Sequence, residues 1–386
     1  MKVIKKSLAI FLVIITVFMT FSVAMPVFAA EAEKETEAAP SEEAVVSNPE
    51  ILYEITDDRT ANTKSFMQSD GTKLITQYQE NVHYENADGE FIEYDNTLTE
   101  TETDANEKEY KTKDSDIDIR ISKKTNGKKL VRVTKGNDTL SWSFADISKV
   151  TGKVSEKTAD DDVTSLENFA SEVTFSDVFK KTDLQYIIYG DSLKENIILN
   201  GKDAPDEFSI EYKYSGLTPL LSEDKKTITL TNSENETVFV ISAPFMTDSN
   251  GEENIDLYYE LGEIKNNQFT ATLVCDREWL DDESRAYPVT VDPVILTEQT
   301  WTQDNYQSAY ISSYYPTACY GRGGANYEGS LYAGYEYTSS TNRRDKVRSL
   351  IKFSLPNFNK GDRVVSAKCL HTSMPVILKP QLIYIK

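Results

Sequence analysis

Histidine and cysteine are scarce in this chain of 386 residues, and their scarcity argues against several kinds of site. With only two histidines, His83 and His371, a metal centre built on several imidazole ligands is not expected. The three cysteines are an odd number and no pair has zinc-site spacing, so neither a disulfide framework nor a zinc module is predicted. Such a chain must be stabilised by a buried hydrophobic core.

Motifs of common hydrolases are also missing. There is no Gly-x-Ser-x-Gly nucleophile elbow, and His83 lies between Val82 and Tyr84 in an alternating pattern that is typical of a strand. A glycosidase needs only two carboxylates about 5–10 Å apart. An acidic chain offers many accidental pairs of that kind, but a glycosidase also needs a deep cleft, which narrow sandwiches often lack. We therefore predict that the protein is not an enzyme, and we name no catalytic residue.

Helical periodicity is absent as well. Beyond residue 30, no apolar run keeps a 3.6-residue period for more than two turns. Short alternating runs are separated instead by turn dipeptides such as Asp70-Gly71 and Asp88-Gly89, in which Gly accepts the positive φ of a tight hairpin. The pattern predicts an all-β fold, built from hairpins and from curved or sandwiched sheets.

The N-terminus has the features of a secretory signal peptide. Three lysines precede an apolar run from Leu8 to Val23, and small residues follow around Ala29. We predict a signal peptide at 1–29 and a secreted, extracellular protein, with cell-wall association left open. An uncleaved anchor is the alternative, because the run is nearly long enough to span a membrane. Residues 30–49 are acidic and lack aromatic side chains, which predicts a disordered spacer.

Acidic residues outnumber basic ones, with 63 Asp and Glu against 41 Lys and Arg and a formal net charge of −22. The mature chain is near −25 once the three signal-peptide lysines have left. Such a field repels polyanions, so we predict no nucleic-acid partner, and no membrane partner after signal cleavage.

Metal ligation is not predicted. Asp114-Ser115-Asp116 resembles the start of a calcium loop, but the sixth position is not Gly and the twelfth, Thr125, is not Glu. We name no metal ligand and no cofactor. A structural Ca²⁺ in the C-terminal sandwich is kept as an alternative.

A second β unit is predicted at 297–386, after a β-rich region at 50–296. Its first part is crowded with aromatic residues, whose faces are platforms for sugar rings, although Tyr also favours strand positions where it only packs. Two prolines in the tail, 369–386, predict that strand structure is lost there. The candidate glycan-binding residues are Trp301, Tyr306, Tyr310, Tyr314, Tyr315 and Tyr335.

Several segments, in their order along the chain, resemble parts of known exported proteins. They are Val82-His83-Tyr84 with residues 88–91 and 95–98, residues 183–186 with 194–199, residues 243–246 with Asp248, Trp279-Leu280, residues 287–293, residues 348–353, and Leu355-Pro356. Together they are similar to the N-terminal region of Gram-positive wall-associated Rhs/YD-repeat proteins, joined to a DNRLRE-type β-sandwich that is truncated here. The resemblance covers roughly residues 50–368.

The resemblance implies a hairpin-rich β region that acts as a spacer or platform, followed by a partial jelly-roll-like β-sandwich that contacts glycans. We therefore predict a secreted or cell-wall-associated, non-enzymatic β-rich surface protein, as a scaffold or a glycan- or wall-contacting fragment of a larger repeat protein. Its expected partners are a cell-wall or extracellular glycan and a repeat-bearing protein. The alternatives are a carbohydrate-binding accessory region of a polysaccharide-active enzyme and the N-terminal part of a toxin-delivery shell.

Overall fold

The computed structural model describes residues 49–78, 81–103, 105–125, 129–155, 166, 168–297, 306–313, 320–321, 334–338, 343–353, 363–368 and 381–385. In chain order, strands β1 to β15 are Ile51–Glu54, Thr63–Gln68, Lys73–Gln77, His83–Glu85, Phe91–Glu93, Asp95–Glu102, Lys108–Asp114, Asp118–Ser122, Val131–Lys135, Asp138–Phe144, Lys153–Val154, Ala170–Phe179, Thr182–Tyr189, Ser192–Leu199 and Glu207–Ser215.

Strands β16 to β30 are Thr218–Leu221, Ile228–Thr231, Thr237–Ile241, Phe245–Asp248, Glu253–Asn254, Tyr258–Leu261, Gln268–Val274, Val289–Asp292, Val294–Thr297, Tyr306–Ser312, Tyr320–Gly321, Gly334–Thr338, Arg343–Phe353, Val364–Lys368 and Gln381–Ile385. A 3₁₀ turn at Thr56–Asp58 and one short helix, α1, at Arg277–Asp281 interrupt them. The predicted all-β fold is confirmed.

Two large sheets, antiparallel throughout, carry most of these strands. The order in the eight-stranded sheet is β21-β22-β15-β10-β9-β8-β7-β6. The main order in the eleven-stranded sheet is β11-β12-β13-β14-β24-β18-β17-β16, and β23, which pairs with β14, connects it to β19 and β20. Successive strands are mostly joined by hairpins, as the closely spaced turn dipeptides predict.

One continuous hydrophobic core joins the two sheets. Trp142 and Phe208 enter it from the eight-stranded sheet and Phe175 enters it from the eleven-stranded sheet, each at most 2 % exposed. The ring centroids of Phe144 and Phe179, which belong to different sheets, are 6.0 Å apart. Burying each such side chain contributes about 1.5–3 kcal/mol to folding, so this core is the principal source of stability.

The hairpin turns follow the sequence signals. Gly71 and Gly89 have φ angles of 80° and 81°, which residues with a Cβ rarely adopt. The predicted Asp-Gly turns are therefore confirmed at both positions. Within the part of the chain that the structure describes, no helix is long and apolar enough to cross a membrane.

A third sheet, in the order β1-β2-β3-β30-β29, combines the first described strands with the last. Residues 73–77 of β3 pair in antiparallel register with residues 381–385 of β30. The prediction that strand structure is lost after residue 368 is therefore wrong for Gln381–Ile385. The Leu, Ile and Tyr of residues 381–385 favour a strand, and neither proline of the tail falls within these five residues. The predicted division at residue 297 stays a prediction.

One acidic side chain, Glu195 on β14, lies inside the core between the two large sheets and is 1 % exposed. The indole N–H of Trp142 on β10 donates to Oε2 of Glu195 over 2.8 Å, so this hydrogen bond crosses from one sheet to the other. Tyr186 is the cross-strand partner of Glu195 on β13. Burial raises the pKa of Glu195 to about 7, although the Trp142 hydrogen bond opposes the shift.

We expect Glu195→Gln to become more stabilising, relative to the parent chain, as pH rises from about 4.5 to about 7. The Glu195 carboxyl of the parent binds a proton more tightly when the chain is folded than when it is unfolded, so its own contribution to stability falls over this window, by about 1.4 kcal/mol per pH unit at most. Gln has almost the same shape and can still accept from Trp142, but it does not titrate. Urea unfolding at a series of pH values measures the difference.

The exposed Glu211 on β15 supplies the matched control. Glu211→Gln should change stability little at any pH, because its side chain stays in water. A Glu195→Gln profile that runs parallel to the parent profile would contradict the assignment of a buried titrating carboxyl.

Candidate functional site

A connected group of ionisable side chains surrounds His83, at the place where the β1–β2 hairpin meets the β4–β5 hairpin. Glu54 ends β1, Arg59 follows the 3₁₀ turn, and Lys64 lies on β2. His83 begins β4 and Glu93 ends β5, opposite each other in the register of that hairpin. The turn and the two hairpins thus bring together five groups that span 40 residues of sequence, and we refer to them as the His83 cluster.

Two ion pairs hold the cluster together. Arg59 donates to Glu54 in a bidentate arrangement, from Nε to Oε1 over 2.7 Å and from Nη2 to Oε2 over 3.1 Å. Lys64 Nζ lies 2.5 Å from Oε2 of Glu93. Each cation also approaches the other carboxylate, at 3.9 Å from Arg59 to Glu93 and 4.0 Å from Lys64 to Glu54. Four alternating charges therefore form a closed network.

The imidazole of His83 lies against this network and is 1 % exposed. Its Nδ1 is 2.7 Å from the carbonyl oxygen of Thr60, which can only accept, so Nδ1 carries the proton. Nε2 has no hydrogen-bond partner among the described residues. Burial, reinforced by the charges of Arg59 and Lys64, lowers the pKa of His83 to about 4, so the ring is neutral at pH 7.

The residue types of the cluster are those that transfer protons and stabilise phosphate charge. Its geometry is closed, however, because His83 is buried and the charges of Arg59 and Lys64 are already paired with carboxylates. In this arrangement the cluster ties the two hairpins together. One signal for this cluster was visible in the sequence, a single His in an alternating segment, but no pattern pointed to the four charged residues around it.

A second buried ionic group lies beside α1. Arg285 donates from Nη1 to Asp248 Oδ2 over 2.9 Å and to Glu252 Oε2 over 3.1 Å. Its guanidinium carbon is 3.3 Å from the ring centroid of Trp279, a close cation–π contact. The side chains of Arg285 and Asp248 are only 4 % and 1 % exposed. Residues of three segments that resemble wall-associated proteins meet here, because Arg285 contacts both Asp248 and Trp279 and Asp248 pairs with Val289 in the sheet.

The candidate glycan-binding residues are only partly covered by the structure. Trp301, Tyr314 and Tyr315 lie outside the described residues. Tyr306 and Tyr310 lie on β25 and pair with Phe353 and Ser349 of β28, whereas Tyr335 lies on β27 and pairs with Lys346. These three candidates thus belong to one four-stranded sheet, in the order β26-β25-β28-β27. Glycan binding stays a prediction.

A search of the described residues for three or more His, Cys, Asp or Glu side chains that could hold one metal ion finds no such group. The alternative of a structural Ca²⁺ in the C-terminal sandwich remains a prediction.

Comparison with known proteins places this chain near wall-associated proteins of Bacillus and Geobacillus. It is 27 % identical over 335 residues to the tRNA(Glu)-specific nuclease WapA of Bacillus subtilis subsp. natto, a match that covers 83 % of this chain and 13 % of that protein. It is 27 % identical over 329 residues to the tRNA nuclease WapA of Bacillus subtilis strain 168, covering 82 % of this chain and 13 % of that protein.

A shorter match, 28 % identical over 210 residues, links the chain to the wall-associated protein of Geobacillus stearothermophilus and covers 52 % of this chain and 77 % of that protein. The chain thus spans about an eighth of the length of the two tRNA nucleases. No family model matches the chain. No solved structure matches it either.

These names overturn two predictions. The chain was predicted not to be an enzyme and to act as a non-enzymatic surface protein, but relatives that match more than four fifths of it are named nucleases. The prediction rested on missing hydrolase motifs. Nuclease chemistry can use a few charged side chains with no fixed spacing along the sequence, so the absence of those motifs could not exclude it.

We expect His83→Gln to make stability fall as pH rises from about 4.5 to 6.5, whereas the parent should stay nearly level. In the parent, two buried groups oppose each other. His83, with its pKa lowered to about 4, makes the folded state gain stability as pH rises through this window. Glu195, with its pKa raised to about 7, makes it lose stability. Removing the imidazole leaves the Glu195 effect alone.

Urea unfolding midpoints at pH 4.5, 5.5 and 6.5 test this prediction, with Glu195→Gln as the variant whose slope should have the opposite sign. Equal slopes in the parent chain and in His83→Gln would show that the imidazole does not titrate differently on unfolding.

We expect Asp248→Ala to destabilise the protein by about 3–5 kcal/mol, because it leaves the Arg285 guanidinium buried without its main counter-charge. The control is Asp281→Ala, which breaks an Arg–Asp pair on the surface, at Arg277. That variant should unfold close to the parent midpoint, since exposed pairs contribute little. Thermal unfolding of both variants makes the comparison, and equal losses would contradict a special role for the buried pair.

Proposed function

We propose that this chain is a region of an exported, wall-associated protein of the tRNA-nuclease type. The observation that carries the proposal is the 27 % identity to tRNA nucleases over 83 % of this chain. The matched length is too large to reflect one shared hairpin, and it includes most of the two-sheet structure. RNA cleavage is thus proposed as the activity of the protein to which this region belongs.

Export and wall location are part of the same proposal. The three lysines, the apolar run and the small residues near Ala29 support secretion through a cleaved signal peptide. A match that covers 77 % of a wall-associated protein supports retention at the wall. At a finer level, we propose that residues 50–296 correspond to the region before the repeats of Rhs/YD-repeat proteins and that 297–386 belong to a DNRLRE-type sandwich.

The acidic charge bears on where tRNA would bind. A net charge of −22 repels a polyanion, and binding RNA requires Lys or Arg that are free to neutralise phosphates. In the His83 cluster the cations are already paired with carboxylates. We therefore propose that tRNA binds to a part of the whole protein other than this acidic region, which would hold the nuclease outside the cell. Aromatic contacts with wall glycans, made by Trp301 and the predicted tyrosines, are proposed as the means of retention.

The test uses the gene product as its source organism makes it, isolated from the cell-wall fraction and incubated with total tRNA, 5S rRNA and double-stranded DNA. We expect cleavage of tRNA, seen on a denaturing gel, and loss of aminoacylation, while the other substrates stay intact. The wall fraction of a deletion strain is the control. Equal tRNA cleavage by the two fractions, or absence of the gene product from the wall, would overturn the proposal.

The His83→Gln variant serves as an internal control in this assay. Because the ring is buried and cannot reach a phosphodiester in this structure, we expect cleavage to persist at the parent rate under conditions where the variant is folded.

A further inference from the structure

Lys194 and Asp292 form an ion pair that is almost completely removed from solvent. Lys194 lies on β14 and Asp292 is the last residue of β23, which pairs with β14. Nζ of Lys194 is 2.5 Å from Oδ2 of Asp292, and the two side chains are 14 % and 5 % exposed. An amine and a carboxyl group that ordinarily stay in water are therefore held in contact inside the protein.

The backbone fixes both partners. β14 pairs with β23 through residues 197–199 and with β24 through Leu193 and Lys194. Between these two stretches, the Glu195 N–H donates to the carbonyl oxygen of Pro293 over 3.1 Å. Asp292 thus lies at a junction that is hydrogen-bonded on both sides. The approach of the two side chains is set by the sheet and does not depend on two long side chains meeting in solvent.

The surroundings of Asp292 favour the uncharged acid. Its Oδ1 is buried and has no hydrogen-bond donor among the described residues. Burial raises the pKa of Asp292 above its ordinary value although Lys194 opposes the shift. A raised pKa favours the uncharged carboxyl over the carboxylate. The geometry thus holds a buried carboxyl and an amine in contact, and these are the two groups that can condense to an amide.

Lys64 and Glu93 show why distance alone is not enough. Their Nζ–Oε2 separation is also 2.5 Å, but the Glu93 side chain is 30 % exposed and its carboxylate remains solvated. A hydrated carboxylate is a poor acyl donor, and water would be present to reverse any condensation. The two pairs thus form a natural comparison within one chain.

We propose that Lys194 and Asp292 form an intramolecular isopeptide bond that joins β14 to β23. Neutral Nζ attacks Cγ of Asp292, a C–N bond forms, and the C–O bond to the carboxyl hydroxyl breaks. One proton from the amine leaves with that hydroxyl as water, so the step needs no oxidant, reductant or cofactor. Holding two groups in contact can raise their effective concentration to about 10⁵–10⁸ M. Burial then shields the amide from hydrolysis.

The test is the intact mass of the secreted full chain, followed by proteolysis and tandem mass spectrometry. We expect a mass one water molecule lower than the mature sequence requires, and a branched peptide that joins the segments containing Lys194 and Asp292. Lys194→Arg and Asp292→Ala should each restore the full mass. Lys64→Arg, the matched control, should still be one water molecule lighter.

If a variant fails to fold, the mass of the parent chain still tests whether the isopeptide bond forms. A parent mass equal to that of the uncondensed sequence would overturn the proposal, and so would a lost water that fragmentation places at another residue. The proposal does not depend on tRNA cleavage, because the mass is read without any substrate.

Discussion

The contact between the two large sheets is the constraint on which the rest of the structure depends, and β14 lies at its centre. This strand pairs with β13, β23 and β24 in the eleven-stranded sheet. Its alternate residues Leu193, Glu195 and Ile197 are almost fully buried in the core. The Trp142–Glu195 hydrogen bond then fixes the strand against β10 of the other sheet. A shift of β14 by one residue would reverse its two faces and place Lys194 in the apolar core.

Buried polar groups restrict the strands of this fold to one register, but removing such groups from water costs free energy. An ionised carboxyl inside an apolar core is unfavourable unless it is hydrogen-bonded or neutralised. Glu195 accepts a hydrogen bond from Trp142, and its raised pKa favours the uncharged acid. Asp248 is instead paired with the guanidinium of Arg285. These two solutions differ in their response to pH, because the first works best when the carboxyl is protonated and the second requires it to be charged. Both restrict the register of the strands that carry them.

The sequence predicted local structure better than it predicted contacts. The Asp-Gly turns and the alternating runs were sufficient for the hairpins, because those signals act between neighbouring residues. The burial of Glu195 could have been inferred, because Leu193, Glu195 and Ile197 are alternate residues and therefore face the same side of the strand. The pairing of residues 381–385 with β3 could not, because more than 300 residues separate the two strands and no local signal specifies such a partner.

The contacts within the His83 cluster could not be predicted from the sequence either. Its five members come from separate strands and a turn, so spacing in the sequence carried no information about their contacts. The segments that resemble wall-associated proteins include Asp248 and Trp279, which both contact Arg285 in the structure. Their order along the chain did not show that these two side chains meet.

The part of the chain that the structure describes is stabilised by packing and not by a disulfide, because its one cysteine, Cys275, is buried and is a free thiol. A protein region without disulfides needs either a large core or another restraint on the unfolded state. This chain has the core in its two packed sheets. A covalent link between β14 and β23 would add this restraint at a strand that core packing, the Glu195 carboxyl and the sheet junction already hold in place.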